Sequence, residues 1–157
     1  SWIGTLMFDL LTEAEAADRV NVFDIPLLAE RVLAAVRFVT TLDQTRHLPL
    51  GLCGASTGAA AALVAAAREP RVTAIVSRGG RPDLAGRKLA AVAAPTLLIV
   101  GSEDRDVLEL NRQALAQLTC EKQLAVVPGA THLFEEPGTL EEAARLAAEW
   151  FARHLRA

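Results

Sequence analysis

The chain has 157 residues, 52% hydrophobic and 22% charged, with 16 Lys and Arg against 19 Asp and Glu and a formal net charge of −3. That length suits one ordinary domain with a real core, is short for two, and is far too apolar for a disordered chain. The charge balance provides no basic face for nucleic acid or an anionic membrane, the two cysteines (Cys53, Cys120) form no zinc ligand set, and no apolar run reaches the roughly 18 residues of a membrane span.

No basic, apolar, small-residue leader opens the sequence, although it starts with Ser1 rather than Met. The expectation is a single cytoplasmic α/β domain over residues 1–157. Residues 2–11 (WIGTLMFDLL) form an apolar run rich in strand formers, which predicts a buried parallel strand. An acidic, polar connection follows over residues 12–21. Asp24-Ile25-Pro26 predicts a helix start, with Asp24 as cap and Pro26 in the first turn. Leu27, Leu28, Val32, Leu33, Val36, Phe38 and Val39 give this helix one broad inward face. His47-Leu48-Pro49 breaks the pattern before a second short strand, 50–53. Residues 54–58 read as a tight turn, and 59–68 as an alanine-dominated helix ended by Pro70. A third strand spans 72–76, a loop 79–82, and a short polar helix runs toward Val92. Pro95 introduces a fourth strand, 96–100, and helical spacing covers 106–118. The fifth strand is 123–127, and 139–155 is a long amphipathic helix. This alternation predicts a mostly parallel sheet of about five strands, flanked by helices on both faces. In such sheets chemistry gathers at the carboxyl ends of the strands.

Three of those ends carry reactive groups. Gly54-Ala55-Ser56-Thr57-Gly58 fits G-x-S-x-G between a strand and a helix, where the motif has mechanical meaning. The turn is sharp enough that a Cβ at its first or last position is expected to collide with its surroundings. The serine is then held at the apex, and the Thr57 N–H faces the same space as an oxyanion donor. The alternative is a small-residue turn that lets the helix pack closely on the sheet. A serine hydroxyl needs a base, and the base needs an orienting acid. Asp104 follows the fourth strand and His132 the fifth, in the chain order Ser, acid, His of α/β-hydrolases. Taken alone, Asp104 reads as a loop residue or helix cap, and His132 as a surface histidine. Glu103 and Asp106 are less suitably placed acids. His47 lies at the amino end of its strand, and His154 suits the last turn of a helix, where a cation complements the dipole. Cys53 reads as a small core residue. Arg78 and Arg81 flank two glycines after the third strand. Either they hold a carboxylate or phosphate of a substrate, or they form ion pairs with Asp83 or Glu136.

The run 50–62, the segment 77–86 (SRGGRPDLAG), residues 94–101 (APTLLIVG) and residues 128–138 (PGATHLFEEPG) together resemble bacterial α/β-hydrolases of the dienelactone-hydrolase-like group. Some members of that group are fused to a phosphoribosyltransferase domain. The resemblance covers essentially the whole chain and implies Ser56 as nucleophile, Asp104 as acid and His132 as base, with no metal or organic cofactor. True dienelactone hydrolases carry cysteine at the nucleophile position. Serine there points toward general ester hydrolysis: a carboxylesterase for small esters, or a lactonase or thioesterase using the same triad, with a catalytically idle interaction module as the rival. Family members also have strands ahead of the one that opens this chain, and a histidine-glycine loop after one of them supplies a second oxyanion donor. The resemblance therefore implies a sheet truncated on its N-terminal side, either a C-terminal fragment or a reduced form. The absent strand would lie between the first two strands here. An exposed sheet edge or apolar surface is expected, and with it a homodimer or larger homo-oligomer. Loss of one oxyanion donor costs ~10² to 10³ in rate, so a slow esterase is expected.

Overall fold

The computed structural model describes residues 3–156. Two short helices, α1 (Glu13–Ala16) and α2 (Arg19–Val22), lead into the long helix α3 (Ile25–Thr41). Asp24 caps α3 as its sequence suggests, accepting a hydrogen bond from the Leu27 N–H at 3.0 Å. Four strands follow, each separated from the next by a helical crossover, as parallel neighbours require. They are β1 (Leu50–Ser56), β2 (Val72–Gly80), β3 (Thr96–Gly101) and β4 (Lys122–Val127). The crossovers are α4 (Thr57–Ala66), a 3-10 segment (Pro82–Ala91) and α5 (Arg105–Gln117), and α6 (Thr139–His154) closes the chain. The strands lie side by side in sequence order, all parallel, so β1 and β4 are the edges.

Strand alternation divides the core into two layers. Ile75 of β2 and Leu98 of β3 pack with α3, α4, the 3-10 segment and α5, whereas Ala74, Val76, Leu97 and Ile99 pack against Trp150 and Ala143 of α6. Helix α4 has no polar face. Ala59, Ala60, Ala61 and Leu63 are fully buried, because the helix lies between α3 and the sheet. Its small side chains let it approach β2 closely: a Cβ on Gly80 would collide with Ala59 and Ser77. None of the described helices is long and apolar enough to cross a membrane.

The structure corrects the sequence at the amino-terminal end. Residues 3–11 form no strand, so the sheet has four strands among the described residues rather than five; Trp2 lies outside them. A strand exists only by pairing, and no neighbour offers this segment a ladder. Leu10 and Leu11 pack against the core, while Ile3, Leu6, Met7 and Phe8 stay exposed. The acidic connection over 12–21 is α1 and α2, with a capping box between Thr12 and Glu15. Gly79 and Gly80 belong to β2 rather than to a loop. Cys53 is exposed rather than in the core, because β1 is an edge strand.

Candidate active site

Ser56 is the last residue of β1 and the residue before α4, with φ +50° and ψ −127°. A side chain at positive φ costs of order 1–3 kcal/mol and persists only where its surroundings enforce it. Gly54 is part of that enforcement, since a Cβ there would meet the main chain of Gly58 and Ala59. Gly58 is not: its nearest neighbour would be Leu10 Cδ1 at 3.9 Å, an ordinary contact, so only the first glycine of the motif is sterically required. Ser56 occupies the cap position of α4 yet makes no capping hydrogen bond, and it is exposed. Its hydroxyl has no hydrogen-bond partner among the described residues, and the residue stands immediately before the first N–H groups of a ten-residue helix, starting with that of Thr57.

Asp104 likewise stands at the cap position of α5 without capping it. Its Oδ2 lies 2.7 Å from His132 Nδ1. The carboxylate is mostly covered and the imidazole is 43% exposed, and among the described residues Nε2 has no hydrogen-bond partner. The loops bearing the two residues are stapled together. The Ser102 N–H donates to Val127 O and the Glu103 N–H to Ala130 O, both at 3.0 Å, and Ser102 Oγ accepts from the Gly129 N–H at 2.8 Å. Gly101 permits this closeness, because any Cβ would strike the Ala130 carbonyl. Glu136 fixes the turn entering His132 by accepting from both the N–H and the hydroxyl of Thr131. Those bonds, the hydroxyl first, hold the Glu136 carboxyl below its usual range. Phe134, buried at φ +55°, closes the turn from beneath.

His132 passes close over the end of β2 at Gly79, the residue before the strand partner of Ser56. Ser56 pairs with Gly80 across β1 and β2, and a Cβ on Gly79 would sit 3.8 Å from His132 Cε1 and 3.2 Å from its carbonyl. No hydrogen bond joins Ser56 Oγ to the imidazole among the described residues. Such contacts commonly tighten only once substrate is bound. Glu103 and Asp106 are turned to solvent, His47 is exposed at the opposite end of the sheet, and His154 lies against Trp150, near Glu121. The two arginines separate. Arg81 is clamped by Asp83 through two bonds of 2.8 and 2.9 Å, whereas Arg78 lies over the Phe134 ring, 5.7 Å from its centroid, and has no carboxylate partner among the described residues. Glu136, the alternative partner for an arginine, is engaged by Thr131. No group of three or more His, Cys, Asp and Glu side chains among the described residues is placed to hold a metal ion.

Sequence reasoning did not foresee the loop staple of Ser102 and Gly129, the role of Glu136, or a buried amide on α5 described below. All three depend on which loops end up touching, and local spacing does not encode that.

A parallel sheet with a serine at positive φ between strand and helix, and an acid–histidine pair delivered from the next strand ends but one and two, defines the α/β-hydrolase class. Within it, the model of the dienelactone hydrolase family matches residues 7–155, and the chain belongs to that family. Family membership supports a hydrolase. A dienelactone hydrolase from Anabaena variabilis superposes with a TM-score of 0.88 at 52% identity, over 94% of this chain and 71% of that one. The esterase domain of a Rhodothermus marinus protein shares the fold, with a TM-score of 0.71 at 19% identity, over 82% of this chain and 70% of its own. Proteins of two Mycobacterium tuberculosis strains, named as a phosphoribosyl transferase, are 61% identical over 153 residues, 96% of this chain. The chain spans 34% of the length of those relatives.

Proposed function

We propose that this chain is a serine hydrolase of small carboxylic esters. The observation that carries the reading is the Asp104–His132 hydrogen bond at 2.7 Å, set beside a serine at φ +50° whose hydroxyl caps nothing. In this mechanism His132 Nε2 takes the Ser56 proton as Oγ bonds to the ester carbonyl carbon, and Asp104 holds Nδ1–H and steadies the imidazolium. The Thr57 N–H stabilises the oxyanion. Collapse breaks the bond to the alcohol, which leaves with the proton from His132. Water then attacks the acyl-serine, giving its proton to His132, and the acid is released with Ser56 restored. Thioesters and lactones enter the same cycle.

Arg78 supplies a preference. A guanidinium at the carboxyl end of β2, resting on an aromatic face with no ion-pair partner, suits a substrate carboxylate or phosphate. Arg81, already bound to Asp83, is the weaker candidate. One experiment tests both parts: p-nitrophenyl esters with neutral and anionic acyl chains, offered to wild type, Ser56→Ala and Arg78→Gln. Ser56→Ala is expected to lose turnover of every ester. Arg78→Gln is expected to raise KM about tenfold or more for the anionic esters alone, the scale of a charge-assisted bidentate contact. Full activity in Ser56→Ala overturns Ser56 as the nucleophile, and an equal effect on neutral and anionic esters overturns the role of Arg78.

A further inference from the structure

Helix α5 buries Leu108, Asn111 and Ala114, so a primary amide occupies the middle of its inward stripe. Asn111 is fully buried, and its Oδ1 has no partner among the described residues, a cost that an apolar side chain in the same place would avoid. Its Nδ2 donates both hydrogens to carbonyls, one to Val107 O at 2.8 Å and one to Gly80 O at 3.0 Å. Because both neighbours are acceptors, only the nitrogen can face them.

The Gly80 carbonyl is an unusual acceptor. The ladder between β2 and β3 ends at the pair Arg78–Ile99, and the left-handed turn at Gly79, φ +52°, separates Gly80 from it. Gly80 O therefore has no place in the β3 ladder, and Asn111 reaches it from α5. The other end of the same peptide group is the Arg81 N–H, which donates to the Ser56 carbonyl at 3.0 Å. One amide plane thus links the buried side chain on α5 to the backbone of the strained serine.

We infer that Asn111 is a positioning residue for Ser56, acting through the Gly80–Arg81 peptide. Its donated hydrogen bond fixes the plane of that peptide and polarises it. The Arg81 N–H then holds the Ser56 carbonyl, which fixes ψ of the serine at −127° and so supports the strained backbone that presents Oγ. The inference rests on Ser56 being the nucleophile.

The test uses Asn111→Ala beside Leu108→Ala, a truncation on the same buried face that leaves Gly80 O alone. Both are assayed at a temperature where circular dichroism shows them folded. Two rates are read per folded molecule: kcat on p-nitrophenyl acetate and phosphonylation of Ser56 by a fluorophosphonate. Asn111→Ala is expected to lower both by about 10- to 100-fold, the scale of a small misplacement of a reacting group, with KM within about twofold of wild type. Leu108→Ala is expected to lose thermal stability yet keep both rates. Asn111→Gln, which retains an amide donor, is expected to recover part of the loss, and Asn111→Leu replaces the alanine variant if that does not fold. Wild-type rates in the Asn111 variant, or a loss that Leu108→Ala shares, overturn the positioning role alone. Absence of phosphonylation in the wild type overturns the reading of Ser56 beneath it.

Discussion

Ser56 and Asp104 share a local logic. Each follows a parallel strand, each stands where a helix begins, and neither side chain is used to cap that helix. A polar side chain at that position normally binds the first helical N–H groups, so its release marks a group directed elsewhere. The strain at Ser56 depends on Gly54 in particular. Gly54→Ala would drive a methyl into the main chain of Gly58 and Ala59, and overpacking of that kind costs about 1–3 kcal/mol. Thermal unfolding should show that loss, together with a fall in esterase activity at temperatures where the variant is still folded. Gly58→Ala, with only Leu10 nearby, should be the milder change in both. At this scale the sequence shows which three residues to watch, because strand, turn and helix signals bracket each of them. It does not show that Arg81 is tied to Asp83 while Arg78 has no carboxylate partner among the described residues, nor that Asn111 is buried. Those facts follow from the irregularity at Gly79 and the approach of α5, and an asparagine or arginine in isolation carries no mark of either.

The elements divide in the same way. Strands β1 to β4 and helices α3 to α6 stand close to where periodicity places them, since apolar runs with Pro and Gly boundaries encode them locally. The segment before α1 also reads as a strand, but pairing is a property of neighbours, and none pairs with it among the described residues. In place of a ladder, the amino-terminal region is held by Arg31 of α3. Its guanidinium binds both carboxylate oxygens of Glu15, at 2.8 and 3.2 Å, and donates to the Leu10 carbonyl. The Arg31 guanidinium first, and the Thr12 N–H after it, lower the Glu15 pKa from the ordinary 4.5 to about 2. A carboxyl group with a depressed folded pKa contributes stability above its ordinary value and loses that contribution as pH falls through the folded one. Glu15→Gln retains the capping box and removes the charge. The gap in melting temperature between wild type and Glu15→Gln should be constant at pH 5 and above, narrow between pH 4.5 and 2, and close below that. A gap that does not change across this range would show that the ion pair contributes nothing to anchoring α1.

At the largest scale, the feature that matters is the edge of β1, which is unpaired among the described residues. The strand LGLCGAS carries no charge and no proline, the residues that usually blunt such an edge, and Ile3, Leu6, Met7, Phe8 and Phe38 are exposed besides. Self-association is the expected consequence. Light scattering after size exclusion should show a mass that rises with concentration, and Cys53→Lys, a charge on the edge strand, should shift it back toward the monomer. A monomer mass at every concentration would contradict this.

The central claim is that Ser56 is an activated nucleophile, and covalent capture tests it most directly. The protein is treated with a fluorophosphonate, and the intact mass and the tryptic peptide 47–68, which contains Ser56, are measured. The account predicts one adduct per chain, located on Ser56, absent from Ser56→Ala and much slower to form in His132→Ala. A wild-type protein that takes up no label, or a label that persists in Ser56→Ala, would contradict it.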